Sequence, residues 1–466
     1  MADPDWEGSA MTVQPATLTR SPAGDASEWY SPPGEYRRHE HRGRIEDSDY
    51  VEEEWFATGE ADGEPYATQL IVRRPRDKAR FSGTVIAEPL HSMGASPVWM
   101  YTSAEVMRQG HISAVIASQK SALDMHVKSF NPSRYEQLHV EADPPAADAP
   151  ELDVFNLPVR DPARMAAFNE EMQRLNKASN AILAQVGAAI AQSAGPFEGW
   201  NVAHVILAGH SQTGGVVTNY IRNAHQSIRR DDGSSVFDGY FPAGSPSDPF
   251  DAYEVPILQL LSEGDISDPN RAGRENRKYR RADSDKPGDR FTLYELAGVA
   301  HMGTRYAPYN DPGMWQQAPT AGNVPTEQRM SSLPHNELFD MGLRHLVNWV
   351  VEGVTPPTAD RIEVGADGYF AKDEHGNSLG GIRCVYLDVP KARYYANPRN
   401  ENGTPAMGVV GSEELFDKEE LGALYKDHSD YVERFNRRLD ELINQGWFLA
   451  DNAPELREDA EAAPVP

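Results

Sequence analysis

Apolar residues in this chain gather into short runs, and the runs alternate with stretches of helical spacing. Residues 51–59 and 66–74 read as two strands joined by a turn at Ala61-Asp62-Gly63. The runs at 84–87, 112–117, 202–208, 236–243, 255–261 and 291–296 have the composition of strands covered on both faces. Between them, residues 99–109 read as a helix stopped by Gly110. Residues 164–192 keep helical spacing through Met165, Phe168, Met172, Leu175, Ala178, Ile182, Val186 and Ile190. A further helix is expected over 338–352, ahead of Gly353 and Pro356-Pro357, and a helical tail over 419–444. Strand, helix, strand in this succession is the pattern of a parallel sheet with helical crossovers.

Two stretches break the rhythm. Residues 121–160, rich in Pro and Asp, read as an excursion over the sheet top. An insert at 268–289 carries Arg271, Arg274, Arg277, Lys278, Arg280 and Arg281, favoured as a solvated loop over an anion-attracting rim. The domain reading is a flexible N-terminal segment (1–45), one domain (46–450) with lid segments at 121–160 and 268–336, and a disordered tail (451–466). The net charge of −27, from 44 Lys and Arg against 71 Asp and Glu, argues against a nucleic-acid partner. Cys384 is the only cysteine, so no intramolecular disulfide forms, which suits a reducing compartment. No apolar run reaches the roughly 20 residues of a membrane span, and the polar N-terminus is no secretory signal, so the cytoplasm is expected.

The chemistry concentrates at Gly209-His210-Ser211-Gln212-Thr213-Gly214, where an apolar strand turns at once into an amphipathic segment. A serine at such an apex stands clear of its own backbone, and the amides of the following helical turn face whatever it attacks. The spacing departs from the usual G-x-S-x-G, because Thr213 sits where glycine is expected and glycine comes one residue later. A serine also needs a base and a carboxylate that orients it. Asp265 follows the run ending at Leu261 and is the favoured acid, with Glu263 as the alternative. His301 follows the last core run and is the expected base. For an oxyanion, the donors are the Gln212 amide and one from residues 88–94, either His91 or Ser92. His210 either touches substrate or packs beside the turn. No P-loop, dinucleotide glycine pattern, H-E-x-x-H or paired C-x-x-C is present. His39 and His41 read as surface residues, and Asn402-Gly403-Thr404 as a glycosylation triplet idle without secretion; neither a metal nor a cofactor is expected.

These blocks resemble those of the bacterial and fungal alpha/beta hydrolase domain proteins, large esterase-like enzymes. The resemblance rests on residues 53–59 and 71–75, on Ile116-Ala117-Ser118-Gln119-Lys120, on Arg134-Tyr135 and on Gly209-His210-Ser211-Gln212. It continues through Ala297-Gly298-Val299-Ala300-His301, residues 377–383 and Leu424-Tyr425, and so covers about residues 50–450. Glu88-Pro89-Leu90-His91 departs from the family, which tends to carry Trp and Asn there. The resemblance implies an α/β-hydrolase fold: a mostly parallel central sheet, helices on both faces and inserted lid segments. It also implies cofactor-free hydrolysis of a small-molecule carboxylic ester. A catalytically silent ligand-binding relative and an acyltransferase using the same serine are the alternatives.

Overall fold

The computed structural model describes residues 10–32, 45–142, 170–266, 279–305, 329–397 and 409–465, apart from positions 25, 46, 47, 172, 175 and 367. Its largest sheet has ten described strands. In chain order they are β1 (Thr17–Arg20), β2 (Tyr50–Ala61), β3 (Glu64–Pro75), β4 (Thr84–Pro89), β5 (Ile112–Ile116), β6 (His204–His210), β7 (Gly239–Ala243), β8 (Ile257–Ser262), β9 (Ser284–Lys286) and β10 (Asp289–Leu296). They lie side by side as β9-β10-β8-β7-β6-β4-β5-β3-β2-β1. The strands from β5 to β10 across the middle run parallel, and β1, β2, β3 and β9 flank them in antiparallel pairing. The hairpin of β2 and β3 turns at Asp62 and Gly63, both at positive φ (54° and 86°), as a two-residue turn matched to strand twist requires.

The central strands are apolar throughout because both faces are covered. Val205, Ile206, Leu207 and Ala208 of β6 are buried, as is every residue of β8. Each such Val, Leu or Ile side chain contributes about 1.5–3 kcal/mol of transfer free energy. Two helix pairs form the covering layers: α1 (Pro97–Gln109) packs on α4 (His335–Glu352), and α2 (Ser179–Ala191) on α3 (Gln212–Asn223). Gly110 ends α1 in the left-handed conformation (φ 73°), and Gly353 ends α4 likewise (φ 70°). Strand order reverses between β4 and β6, with β5 on the far side of β4. A crevice at the carboxyl ends of the strands is expected at such a point.

Several expectations change. The N-terminal segment is not wholly loose: β1 pairs with β2 in register Leu18 to Ala57, and Met11–Thr12 pairs in parallel with Ile228–Arg229. The tail is not disordered. Its helix α7 (Ala453–Glu461) buries Leu456 and Ala460 and packs on α6 (His428–Gln445), which follows α5 (Lys418–Leu424). The single tail helix expected over 419–444 is broken because Asp427 takes an extended conformation and caps α6 through the Asp430 amide. The helix expected over 164–192 is seen as α2, and residues 164–169 lie outside those described.

The lid segments are also redrawn. Residues 121–142 are anchored, with Leu123, Val127, Tyr135 and Leu138 fully buried. The buried Glu54 of β2 requires partners there: Tyr135 donates to it at 2.6 Å, and Arg134 pairs with it at 2.6 Å. The 268–336 range contains β9, β10 and the loop after it, which belong to the sheet. Residues 143–160, 267–278 and 306–328 lie outside the described residues, as do His39, His41 and residues 402–404. Of the basic insert, Arg280 pairs with the buried Glu295 at 2.6 Å, and Arg281 pairs with Asp289 and lies over the Phe291 ring. Both are structural anchors; Arg271, Arg274, Arg277 and Lys278 are not described.

Candidate active site

Ser211 stands between β6 and α3 at φ 60°, ψ −125°, a backbone conformation that L-residues rarely adopt. Holding it there stores on the order of 1–3 kcal/mol, so the neighbours must over-determine the turn. They do so by close approach. A Cβ on Gly209 would meet the Thr213 carbonyl oxygen at 2.3 Å, and one on Gly214 would meet the Ala243 carbonyl oxygen at 2.2 Å. The Ser211 amide donates to that same Ala243 oxygen at 3.0 Å, locking the turn to β7. Thr213 explains the shifted glycine. Its buried hydroxyl accepts from the His210 amide at 3.0 Å and donates to the His210 carbonyl at 2.8 Å.

The three residues expected at three strand ends meet. His301 Nε2 lies 2.8 Å from Ser211 Oγ, and His301 Nδ1 is hydrogen-bonded to Asp265 Oδ1. A carboxylate only accepts, so Nδ1 carries the proton and Nε2 is left to accept from the serine hydroxyl. The other oxygen of Asp265 accepts from the Ser262 amide at 2.6 Å, which fixes the carboxylate plane. The turn that carries Asp265 is tied to the histidine loop, because the Gly264 amide donates to the Val299 carbonyl at 3.0 Å. A Cβ at Gly264 would stand 2.6 Å from the His301 nitrogen, so only glycine allows the two loops to touch.

Glu263, the alternative acid, points elsewhere. It accepts from the Gly298 amide at 2.7 Å and from the Ser378 hydroxyl, and it pairs with Lys372 at 3.0 Å. Burial alone would raise its carboxyl; the Lys372 ammonium, the Ser378 hydroxyl and the Gly298 amide outweigh that and hold it below the usual range. The geometry therefore leaves Asp265 on His301 and gives Glu263 to the loop's foundation.

The oxyanion candidates divide. Gln212 heads α3, where its amide has no helical carbonyl to pair with, at the positive end of the helix. The His91 amide is committed to the Ala95 carbonyl at 2.9 Å. The Ser92 amide donates at 3.2 Å to the side-chain oxygen of Gln212. Sequence reasoning missed what holds that loop. Gln119, fully buried, donates to the Leu90 carbonyl at 2.8 Å and exchanges hydrogen bonds with the Gln212 side-chain amide. His126 Nε2 lies 2.8 Å from the Ser92 carbonyl oxygen, and the Tyr30 hydroxyl donates to the Gly94 carbonyl. Only Gln119 had left a signal, as part of the block at 116–120.

Behind His301 lies a pocket of aromatic rings. His210, 2% exposed, stacks on it with ring centroids 4.6 Å apart and planes 30° from parallel. Tyr101 and Phe339 meet His210 edge-on. His335, 1% exposed, stacks on Phe339 at 4.4 Å. Burial pushes the His335 imidazole down to about 3, the His91 imidazole down to about 4 and the His210 imidazole well below its ordinary range. Among the described residues, no group of three or more His, Cys, Asp or Glu side chains is arranged to hold a metal ion. What remains is a serine hydroxyl on an imidazole, oriented by a buried carboxylate, beside a helix N-terminus: the parts of nucleophilic attack on a carbonyl.

A sequence family described as an alpha/beta hydrolase domain matches residues 15–458. No curated protein matches the chain. Among solved structures, the chain is similar to the esterase Est22 at 11% identity, over 47% of this chain and 66% of that one, with a TM-score of 0.29. It is similar to a putative dienelactone hydrolase from Klebsiella pneumoniae at 10% identity, over 57% and 96% of the two chains, with a TM-score of 0.27. A thermostable esterase from Pseudomonas putida is 10% identical over 46% and 65%, with a TM-score of 0.26. The chain thus spans just under two thirds of each esterase's length.

Proposed function

Because the chain belongs to the alpha/beta hydrolase domain family, we propose that it is a serine esterase that cleaves carboxylic esters through an acyl-enzyme. The observation that carries this reading is the unbroken hydrogen-bonded run from Asp265 through His301 to Ser211 Oγ. In the first half-reaction His301 Nε2 takes the Ser211 proton as Oγ attacks the ester carbon. The negative charge that develops on the carbonyl oxygen is stabilised by the Gln212 amide at the head of α3. His301, now imidazolium and steadied by Asp265, protonates the departing alcohol. A water molecule then gives a proton to His301 as its oxygen attacks the acyl carbon; His301 returns that proton to Ser211 Oγ as the bond to Oγ breaks, releasing the acid and restoring the serine.

Ser92 is the second oxyanion donor in this scheme, since the His91 amide is committed to Ala95. To serve, the Ser92 amide exchanges the Gln212 side-chain oxygen for the substrate oxygen. Among the described residues no helix is long and apolar enough to cross a membrane.

The test is intact-mass spectrometry after exposure to a fluorophosphonate, with turnover of p-nitrophenyl esters measured in parallel on wild type and Ser211→Ala. One adduct on wild type, none on the variant, and a fall in kcat of at least about 10⁴-fold are expected. Labelling or turnover that survives in a folded Ser211→Ala protein would sink the assignment.

A further inference from the structure

His210 is part of the strand-to-helix turn; its ring is hydrogen-bonded to the backbone of His301, while its Nε2 has no hydrogen-bond partner among the described residues. A buried polar atom left bare is a standing cost, on the order of 1–3 kcal/mol in ordinary proteins. Besides its contact with the His301 backbone, the side chain makes a ring face. It stacks on His301 at 4.6 Å, and the edges of Tyr101 at 5.2 Å and Phe339 at 5.4 Å hold it in that plane. Gly244 completes the slot, because a Cβ there would stand 2.5 Å from the His210 ring.

We propose that His210 is a positioning residue whose uncharged ring face supports the His301 imidazolium each time it forms. This rests on the serine-esterase reading, in which His301 gains a proton twice per turnover. A cation over a π face is attracted to it, most strongly where water is excluded. The groups that face His301 are Ser211 at the turn, Asp265 after β8, His210 at the end of β6, His335 at the start of α4 and His91 after β4. Burial keeps His91, His210 and His335 uncharged, so the stack presents a ring face and not a competing cation. Asp265 holds the ring at its edge and His210 holds it at its face; the two constrain different motions.

The experiment is a titration of His301 by NMR on protein with ¹³C-labelled histidine, in wild type, His210→Phe and His210→Leu. His210→Phe keeps a ring face and removes the bare nitrogen, whereas His210→Leu removes the face. The His301 midpoint is expected to fall by about half to one pH unit in the leucine variant and to stay close to wild type in the phenylalanine variant. If leucine does not fold there, His210→Met supplies the aliphatic arm. A midpoint unchanged in the aliphatic variant overturns the proposal, and so does an equal fall in His210→Phe, which would assign the effect to the nitrogen. The titration reads His301 whether or not an ester is turned over. A normal stack without fluorophosphonate labelling would therefore fault the esterase reading and leave the stack intact.

Discussion

A single residue, Gly264, separates Glu263 from Asp265, and across that step the work of a carboxylate changes completely. Asp265 faces the imidazole and one backbone amide, while Glu263 is absorbed by Lys372, Ser378 and Gly298. Asp265→Asn should therefore lower kcat by about 10⁴-fold with little change in thermal midpoint, because it leaves His301 in the wrong tautomer. Glu263→Gln should act mainly on stability, lowering it by about 1–3 kcal/mol as Lys372 loses its partner, with a much smaller effect on kcat. Paired steady-state kinetics and thermal melts check both; equal losses of kcat would mean that the roles are not separated. Ser211, Asp265 and His301 were legible because each ends an apolar run, in an order the chain itself displays. Gln119 and Ser378 showed only as members of blocks that resemble the family, and His335 not at all, since their significance lies in contacts made across the fold. Nothing in their local pattern distinguishes a buried amide that clamps a loop from one on the surface.

At the level of elements, strands covered on both faces announced themselves by unbroken apolar runs, and their ends were misplaced by only a few residues. The elements that escaped are those whose composition hides their burial. Strand β1 is a short edge strand with exposed Thr17, Thr19 and Arg20, so it carries no apolar run. Helix α7 buries Ala453, Leu456 and Ala460 among acidic neighbours, which is one narrow stripe. The crossing of α3 with β7 offers a sharp test of how an element's placement sets the reacting group. Gly214→Ala should lower stability by about 1–3 kcal/mol through overpacking against Ala243 and lower activity with it. Gly215→Ala is the control: its new Cβ meets only Ser245 Oγ at 3.5 Å, so its thermal midpoint should hold or rise. Differential scanning calorimetry of the two variants separates close packing from the general effect of losing a helical glycine.

Across the whole molecule, burial of neutral histidines makes stability depend on pH. His111, His210 and His335 are each under 5% exposed, and burial pushes His111 down to about 4 and His335 down to about 3, with His210 well below its ordinary range. Their folded-state affinities for a proton lie below the unfolded value near 6.5, so the unfolded chain takes up protons first as the pH falls. The stability they allow is complete above about pH 6.5 and is lost toward pH 4, at about 4 kcal/mol per pH unit for the three together. That is a large fraction of a typical 5–15 kcal/mol. The thermal midpoint should fall steeply between pH 6 and 5, against the smaller opposing slope of Glu88, whose carboxyl is pushed up to about 8 by burial; a midpoint that rises across that interval would count against these rings being neutral when folded.

The anchoring of Glu263 also has a consequence for synthesis. Ser211, Asp265 and His301 have all been translated by residue 301, but the turn that carries the acid is fastened by Lys372 and Ser378. On the serine-hydrolase reading, a ribosome-bound chain that has not yet exposed residue 378 carries Ser211, Asp265 and His301 but lacks the clasp beneath the acid's turn. A chain truncated before residue 372 is therefore expected to label with a fluorophosphonate more weakly than the full chain.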